Sequence, residues 1–435
     1  MKESLIKNFQ DLAVTPERKD VLSILEAGLR SIDTIKIVKE SVRLEGGHLC
    51  IKDKICSLYE VKRVYVVGVG KCVVKAAEAL EEILGDRIEA GIVLDVSIPE
   101  NCQLKKVKCF DGTHPFPSEK NVSITKQIVE LLHGLTEEDL VIAIISGGGS
   151  TLLCLPDEGY SCTDEELILK ELFKRGASID EINTLRRHMS LARGGHLARW
   201  AYPAQMLSLI FSDVPGDDLK VIASGPTIKS ETTIEDADRI LSKYNILQAC
   251  DLDHCGLVET PKDDKYFKKV INILMVSNGA ALEAMAEKAG QLGYEAEVIT
   301  DKMTGEASQV GSELAQKLNE SPHGKVLLMG GETTVTVSGS TGQGGRNQEL
   351  ALVALKKIGE QGVIMAFASD GHDNSEYAGA VVDHLIKKES EKLSLDWDSY
   401  LAGHDSTSFF EKTGGLLKTG PTGLNVSDLV IALKK

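Results

Sequence analysis

Short apolar runs recur along the chain, each followed by glycine or small polar residues and then by a stretch with helical spacing. Six of these runs have the length and the β-branched content of buried strands. They are residues 61–69, 90–96, 139–146, 206–211, 270–276 and 363–368. Because strands that alternate with helices form parallel sheets, the pattern predicts an α/β fold.

Apolar residues three and four positions apart predict helices between these strands. The amino-terminal residues 1–45 are predicted to be helical, with Leu22, Ile24, Leu25, Leu29 and Ile32 on one face. Further helices are predicted at residues 71–84, 122–132, 163–175 (with Thr163 as N-cap), 179–199 and 347–358. Residues 333–337 alternate as a strand does, and the chain ends in a last apolar strand.

The length of 435 residues exceeds one typical core and predicts two domains. Composition shifts in the polar segment 251–269, where periodic structure fades. We therefore expect an amino-terminal domain of residues 1–258 and a smaller carboxyl-terminal domain of residues 259–435, with the last residues packed back onto the first domain. The first domain is expected to be Rossmann-like, with a mostly parallel sheet and helices on both faces.

The net charge of -16 argues against two broad classes of function, nucleic-acid binding and anionic-membrane binding. Nucleic acids and anionic membranes bind clustered Lys and Arg, which an acidic chain lacks. No signal peptide and no 18-residue apolar span is present. The nine cysteines form no CxxC pair and several lie in apolar strands, as reduced thiols do. These features predict a cytoplasmic protein, either a monomer or a homodimer, with small-molecule ligands.

Two glycine-rich turns follow predicted strands. Ser146, Gly147, Gly148, Gly149 and Ser150 end the apolar run 139–146, and open α/β sheets bind ligands at such strand ends. Lys71 follows Gly70 at the entrance of a predicted helix, where an anion is held readily. Close packing of a turn and a solvated lysine are the alternatives, because neither turn matches a full Walker A or dinucleotide motif.

The stretch 329–352 carries the most unusual chemistry, with four glycine clusters, Glu332, and Arg346 followed by Asn347. Arg346 lies where a loop enters a helix, which is the outline of an anion site. A glycine-rich hairpin with a flexible tip is the alternative.

Other candidates lie on helices and strand ends. Asn183, Arg186 and Arg187 lie within one helical turn. They are predicted either to contact a carboxylate or phosphate together or to form a solvated face. Asp213 follows the strand at residues 206–211. It is a candidate general base or cation ligand, or else a helix or turn cap. His114 lies in a loop that contains two prolines. It is predicted either to contact the substrate or to stabilise the loop. Asp370 and Asp373 follow another strand and are predicted either to bind magnesium or to cap the next helix.

Taken in order, six blocks of sequence resemble the class II glycerate kinase family, whose carboxyl-terminal part is the MOFRL domain. The blocks are VGVGK, SGGGSTLL, NTLRRHMSLARGGHLA, SDVPGDDLKVIASGPT, GGETTVTVSG with GGRNQELAL, and KTGPTGLNVSDL. The resemblance covers residues 61–433.

The resemblance implies transfer of the γ-phosphoryl group of ATP to D-glycerate, giving 2-phosphoglycerate, with Mg²⁺ or another divalent cation. It also implies an active site in the cleft between two α/β domains, with Lys71, Asp213 and Arg346 as catalytic residues. Residues 146–150 are then expected to cradle phosphates. Ligand binding is assigned further to His114, Asn183, Arg186, Glu332 and Asn347, and metal binding to Glu332 and Asp370.

Two positions depart from the family pattern. Cys72 follows the motif lysine where alanine is usual, and Asn374 replaces a glycine in the loop DGHDN. Some relatives carry the name hydroxypyruvate reductase, so an NAD(P)-dependent oxidoreductase is the rival function. The sequence lacks the GxGxxG turn and distant acid of a Rossmann cofactor site. A kinase of a related small hydroxy acid, or a binding protein without turnover, are further alternatives.

Overall fold

The structure, a computed structural model, describes residues 4–214, 216–337 and 342–435. The chain forms two compact units. The lysine unit, named for Lys71, comprises Thr34–Ser212 and Asp217–Met275. The arginine unit, named for Arg346, comprises Met1–Asp33, Asp213–Gly216 and Val276–Lys435. Each unit contains a six-stranded sheet with helices, which confirms the predicted pair of α/β domains.

The division of the chain differs from the predicted 1–258 and 259–435. Helices α1 (Phe9–Leu12) and α2 (Pro16–Ser31) belong to the arginine unit, although they open the chain. Arg18 explains this, because its buried guanidinium makes two 2.7 Å bonds to the carboxylate of Asp383. The predicted apolar face of α2 is correct, since its leucines and isoleucines are buried.

The lysine unit begins with α3 (Thr34–Ser41) and a three-stranded antiparallel meander that the sequence pattern did not predict. The meander comprises β1 (Val42–Glu45), β2 (His48–Ile51) and β3 (Lys54–Ser57). The larger sheet of the lysine unit contains β4 (Arg63–Val69), β5 (Ile88–Asp95), β6 (Val107–Asp111), β7 (Asp139–Ser146), β8 (Gln205–Phe211) and β9 (Val270–Val276).

Eight further helices lie in the lysine unit. They are α4 (Val73–Leu84), α5 (Glu119–Leu132), α6 (Gly149–Leu152), α7 (Cys162–Lys174), α8 (Ile179–His188), α9 (His196–Ala201), α10 (Ile234–Lys243) and α11 (Ile246–Cys250). Short 3₁₀ turns are formed by Gly85–Arg87, Ile222–Ser224 and Asp264–Tyr266.

The large sheet of the lysine unit has the order β6-β5-β4-β7-β8-β9, and its first five strands are parallel. Val69 lies opposite Leu94 and Ile145, and Ser146 lies opposite Phe211. The carboxyl ends of β4, β5, β7 and β8 therefore meet at one edge, where ligands bind in open α/β sheets.

After β9 the arginine unit contains α12 (Asn278–Gln291), β10 (Glu295–Met303), α13 (Ala307–Glu320), β11 (Lys325–Gly331), α14 (Arg346–Lys357) and β12 (Gly362–Ala368). Then come β13 (Gly379–Asp383), α15 (His384–Lys392), α16 (Trp397–Ala402), α17 (Ser406–Thr413), β14 (Leu416–Leu417) and β15 (Asp428–Lys434). The sheet order is β10-β11-β15-β12-β13-β14, with β10 and β11 parallel and the other pairs antiparallel.

The last strand lies in the middle of this sheet, between β11 and β12. Strand β15 also packs against α2, which lies within the predicted first domain of residues 1–258 but belongs to the arginine unit. Every residue from Asp428 to Leu433 is buried, and such an apolar strand is most stable when it is paired on both edges.

Three predicted elements need correction. The helix predicted at 179–199 is two helices, α8 and α9, because Gly194 and Gly195 between them take positive φ angles. The N-cap of α7 is Ser161, with a capping box to Asp164, and not Thr163. Residues 333–337 are not a strand.

Glu306 accounts for the missing strand. Its carboxylate accepts the hydroxyl of Thr336 at 2.6 Å and the backbone N–H of Thr336 at 3.1 Å. Thr334 makes one isolated bridge with Glu306. The side chain of Glu306 thus competes for backbone groups that a neighbouring strand would otherwise bind.

Candidate active site

The loop that carries Lys71 (residues 70–72, the lysine loop) lies against residues 146–150 (the glycine loop), and Gly70 makes this close approach possible. Gly70 has φ +118°, and a Cβ there would lie 2.4 Å from the carbonyl oxygen of Ser146. The backbone N–H of Lys71 donates to the carbonyl of Gly147 at 2.8 Å. The ends of β4 and β7 therefore fix Lys71 beside the glycine loop.

Lys71 and His114 meet at Gly148. A Cβ placed on Gly148 would lie 3.5 Å from Cδ2 of His114 and 3.7 Å from Cγ of Lys71. Gly148 has φ +78° and precedes the short helix α6 as its N-cap. Lys71, His114 and Gly148, which the sequence assigned separately to ligand binding, thus lie together in the lysine unit.

The two serines of the glycine loop face different neighbours. Ser146 is fully buried, and its Oγ lies 3.5 Å from the thiol of Cys72. Ser150 accepts a 2.9 Å hydrogen bond from the hydroxyl of Ser224. Ala223 and Ser224 have φ +50° and +60°, an unusual conformation for residues with side chains. Such backbone strain clusters at functional sites.

The helix after Lys71 begins at Val73, two residues later than predicted, and its start is occupied by an anion of the protein itself. Asp95 accepts the backbone N–H of Val74 at 3.2 Å and that of Val96 at 2.7 Å. Burial raises the pKa of Asp95 to about 6, although these N–H groups favour the charged form. An anionic ligand is therefore expected at the Lys71 side chain and the glycine loop, and not at the first turn of α4.

In the arginine unit, three strand ends bring acidic residues to one edge of the sheet. Asp428 opens β15 and lies opposite both Gly331, the last residue of β11, and Ala368, the last of β12. Glu332 follows β11 directly, and Asp370 follows β12 after one residue. The antiparallel register thus gathers acids that are far apart in sequence.

Arg346 opens α14 and binds two of these acids. Its Nε and Nη2 donate to Asp428 at 2.6 and 2.9 Å, and its Nη1 lies 3.0 Å from Glu332. Burial opposes the charge of Arg346, but Asp428 and Glu332 outweigh it and raise its pKa. Burial also raises the pKa of Asp428, and Arg346 offsets this only in part.

Asp373 caps the start of α14. Its carboxylate accepts the backbone N–H groups of Asn347 at 3.0 Å and Gln348 at 2.8 Å, and the side-chain amide of Asn347 at 3.2 Å. A Cβ on Gly345 would lie 2.3 Å from Asp373, so glycine is required there. Of the two predicted uses of the acidic loop, Asp373 is a helix cap, but of the preceding helix.

Asn374 explains the departure from the family pattern. It has φ +49°, a left-handed conformation that asparagine tolerates better than most residues. Its amide donates to the carbonyl of Gly344 at 3.0 Å. The replacement therefore keeps the backbone shape and adds a bond between the two loops.

Asp213 belongs to the arginine unit, although it follows a strand of the lysine unit. Its carboxylate accepts the amide of Asn425 at 2.8 Å, and its carbonyl accepts the hydroxyl of Ser427. Asp370 accepts the N–H of His372 at 3.0 Å. The segment 425–428 therefore links Asp213 to the acid that holds Arg346.

Asn425, Ser427 and Asp428 are residues that sequence reasoning did not assign to the site. Their signal was present in the block KTGPTGLNVSDL, which precedes an apolar strand. The strand order that brings them beside Arg346 cannot be read from that pattern.

Two features are absent from residues 4–214, 216–337 and 342–435. Within those residues, no three His, Cys, Asp or Glu side chains are grouped to hold a metal ion. The same part of the chain contains no helix long and apolar enough to cross a membrane.

These features define a two-unit α/β protein with glycine-rich loops at its strand ends. Residues 20–253 match the family described as "Domain of unknown function (DUF4147)", and residues 325–428 match the MOFRL family. A "Glycerate 2-kinase" of Pyrococcus horikoshii is 38% identical, covering 95% of this chain and 96% of that protein. A "D-glycerate 2-kinase" of Thermotoga maritima is also 38% identical, covering 92% and 97%.

The solved structure of a Thermotoga maritima glycerate kinase has the same fold. It superimposes with a TM-score of 0.81 at 33% identity, covering 96% of this chain and 99% of that one. The chain belongs to the glycerate kinase family, with a DUF4147 part and a MOFRL part.

Proposed function

We propose that the protein transfers the γ-phosphoryl group of ATP to D-glycerate, giving 2-phosphoglycerate and ADP. The observation that carries this proposal is the meeting of Lys71, His114 and Gly148 at the ligand-binding edge of the sheet. A lysine beside free loop backbone suits the phosphates of a nucleotide. The names of the relatives support the choice of acceptor.

The reaction needs positioned charge more than covalent chemistry. We assign Lys71 and Arg346 to the negative oxygens of the transferred group and of the acceptor, and residues 147–150 to the phosphates. The carboxylate of Asp213 accepts the proton of the attacking hydroxyl. That oxygen bonds to the γ-phosphorus as the bond to the β-phosphate oxygen breaks, and ADP leaves.

Two assigned residues differ in how they act. His114 lies beside Gly148 and is proposed to contact the ligand directly. Asn347 is only 1% exposed and bonds to Asp373, so it is proposed to act through the start of α14.

Glu332 and Asp370 are proposed to hold Mg²⁺. Carboxylate oxygens are suitable ligands, and Mg²⁺ in phosphoryl-transfer sites usually takes one or two carboxylates, several waters and phosphate oxygens. Two acids at the ends of β11 and β12, the strands on either side of β15, fit that pattern better than a cage of protein ligands. Bound there, the ion would neutralise phosphate charge. Glu332 also bonds to Arg346, so its two roles compete.

The first test is the reaction itself. With ATP, magnesium and D-glycerate, we expect ADP to form and phosphorus NMR to identify 2-phosphoglycerate. Oxidation of NADH with hydroxypyruvate and no ADP would favour the oxidoreductase, and turnover only with another hydroxy acid would favour the related kinase.

The second test concerns the two cations. Lys71→Ala and Arg346→Ala are each expected to lower kcat/KM at least about 100-fold, the usual effect of removing oriented charge stabilisation. Lys54→Ala and Arg175→Ala remove exposed cations paired to neighbouring acids and serve as matched controls. Unchanged turnover in the first two variants would refute the assignment. A cleft between the domains, a cytoplasmic location and a monomeric or homodimeric state stay predictions.

A further inference from the structure

Arg186 is a half-buried cation whose side chain has no hydrogen-bond or ion-pair partner within the described part of the chain. Among residues 4–214, 216–337 and 342–435, its guanidinium makes no hydrogen bond and no ion pair, and its Nε is buried. Other buried arginines of this acidic chain are paired: Arg18 binds Asp383 and Arg193 binds Glu165. An unpaired buried charge is costly, so an arginine left in this state is best explained by a ligand.

The buried acid whose charge favours charged Arg186, Glu165, is already paired with Arg193. Glu165 receives Nη1 of Arg193 at 2.7 Å and Nη2 at 3.2 Å. Arg193 also donates to the carbonyl of Arg186 at 3.1 Å, so the two cations are neighbours. Burial, and then the charge of Arg193, lower the pKa of Arg186 to about 10. The side chain is therefore still charged at neutral pH, and a bound anion would stabilise it.

Asn183 supplies a second unpaired donor on the same face of α8. It precedes Arg186 by three residues, a spacing that places both side chains together. Asn183 is 3% exposed, and its Nδ2 donates to no acceptor within the described part of the chain. A buried amide without a partner is rare and calls for a ligand of its own.

The position of α8 connects this pair with the glycine loop. Helix α8 packs against the turn Ile222–Ser224, and α6 packs against the same turn. Ser224 in that turn donates to Ser150 of the glycine loop. The unpaired donors therefore lie on an element that shares its support with the loop assigned to phosphate.

We propose that Asn183 and Arg186 form an oxyanion subsite of the lysine unit, which binds a carboxylate or phosphate group of a substrate. A planar guanidinium and a neighbouring amide match two oxygens of such a group. Which substrate supplies the oxyanion rests on the proposed function: it is the carboxylate of the acceptor or a phosphate of ATP. The subsite itself rests on the unpaired donors.

Arg187 is a matched control on the same helix. It is also half-buried, and its Nε also lacks a partner among the described residues. However, the carboxylates of Asp218, Asp180 and Glu231 favour its charged form, whereas the largest charge effect on Arg186 is the repulsion of Arg193. Arg187→Gln thus removes the same side chain from a site that has its own counter-charges.

The experiment compares Arg186→Gln, Asn183→Ala and Arg187→Gln with the wild type. Thermal unfolding is followed with inorganic phosphate, D-glycerate or ATP, and KM is measured for each substrate. We expect Arg186→Gln to lose the stabilisation by at least one oxyanion and to raise one KM at least about tenfold, because a charge-assisted bond is removed. Asn183→Ala should raise the KM of the same substrate by a smaller factor. Arg187→Gln should leave all KM values within about twofold of the wild type.

The outcomes separate the two proposals. A higher KM for glycerate identifies the acceptor carboxylate, and a higher KM for ATP identifies a phosphate. If no glycerate is phosphorylated but phosphate stabilises the wild type and not Arg186→Gln, the kinase proposal fails and the subsite stands. Equal stabilisation and equal KM values in the wild type and Arg186→Gln would overturn the subsite, as would equal losses in Arg186→Gln and Arg187→Gln.

Discussion

Asp428, the first residue of β15, holds Arg346 by two parallel hydrogen bonds of 2.6 and 2.9 Å. The acid is fully buried, whereas the arginine side chain keeps 31% of its surface exposed. Since the fork of the guanidinium is engaged by Asp428, its remaining Nη1 is directed to Glu332. Strand β15 therefore determines which nitrogen of Arg346 can meet a ligand.

Asp428→Asn is expected to destabilise the protein and to lower turnover. Breaking one partner of a buried pair costs about 3–5 kcal/mol, and we expect the lower end because Arg346 is partly exposed and retains Glu332. Urea unfolding measures the loss of stability. The kcat for glycerate phosphorylation should fall more than the KM for ATP rises, because Arg346 remains present but is no longer oriented.

The matched control is Asp398→Asn, which removes an exposed acid paired with Lys356. Surface pairs contribute about 0–1 kcal/mol, so this variant should be near wild type. If Asp428→Asn were equally mild, Asp428 would not be the residue that positions Arg346.

Asp373 should make the protein less stable as the pH rises. Burial, followed by the charge of Asp428, raises the pKa of Asp373 from 3.8 to about 6. Between these pH values the folded protein keeps a proton that the unfolded chain releases. The stabilising contribution is thus complete below about pH 4 and is lost as the pH rises through about 6.

Asp373→Asn removes this titration. From about pH 4 to pH 7, the free energy of unfolding of the wild type should fall relative to the variant, by on the order of 3 kcal/mol. Glu181 should have the opposite effect on the pH dependence of stability, because its hydrogen bond with Lys243, more than any other contact, lowers its pKa to about 2. The contribution of Glu181 is present above about pH 4.5 and is lost as the pH falls toward about 2. A difference between wild type and Asp373→Asn that does not change with pH would contradict the raised pKa.

The sequence predicts the strands well because a fully buried strand is a continuous apolar run. Residues 139–146 are an example, since all eight are buried in β7. Candidate residues at strand ends follow from the same pattern, and Lys71, Gly148 and His114 do meet. The missed features depend on contacts distant in sequence. The bond between Arg18 and Asp383 spans 365 residues, and the central place of β15 depends on register with β11 and β12.

Asn374 offers a test of the loop that departs from the family pattern. Asn374→Gly should remain within about 1 kcal/mol of wild type, because it loses one hydrogen bond but accepts the left-handed backbone. Asn374→Ala should cost about 1–2 kcal/mol more, because alanine is strained at φ +49°. Thermal unfolding of both variants measures the difference. A glycine variant less stable than the alanine variant would mean that backbone strain is unimportant here.

Alanine variants of Gly70 and Gly134 distinguish the cost of backbone strain from the cost of close packing at the lysine loop. Both glycines have positive φ, but a Cβ on Gly134 would meet nothing within 4 Å, whereas one on Gly70 would lie 2.4 Å from the carbonyl oxygen of Ser146. Gly134→Ala should therefore cost only the strain of about 1–2 kcal/mol. Gly70→Ala should cost a further 1–3 kcal/mol or so, because the two loops must move apart.

Activity should distinguish these variants more sharply than stability does. Moving the loops apart breaks the 2.8 Å bond from the N–H of Lys71 to Gly147, and so displaces the lysine from Gly148. ADP formation by Gly70→Ala should then fall at least about 100-fold, since small misplacements of a positioning group have effects of that size. Gly134→Ala should keep most of its turnover, because its turn lies outside the loops that hold Lys71. If both variants lost activity only in proportion to their stability, the close approach of the two loops would be a packing feature, and the lysine would not depend on it for catalysis.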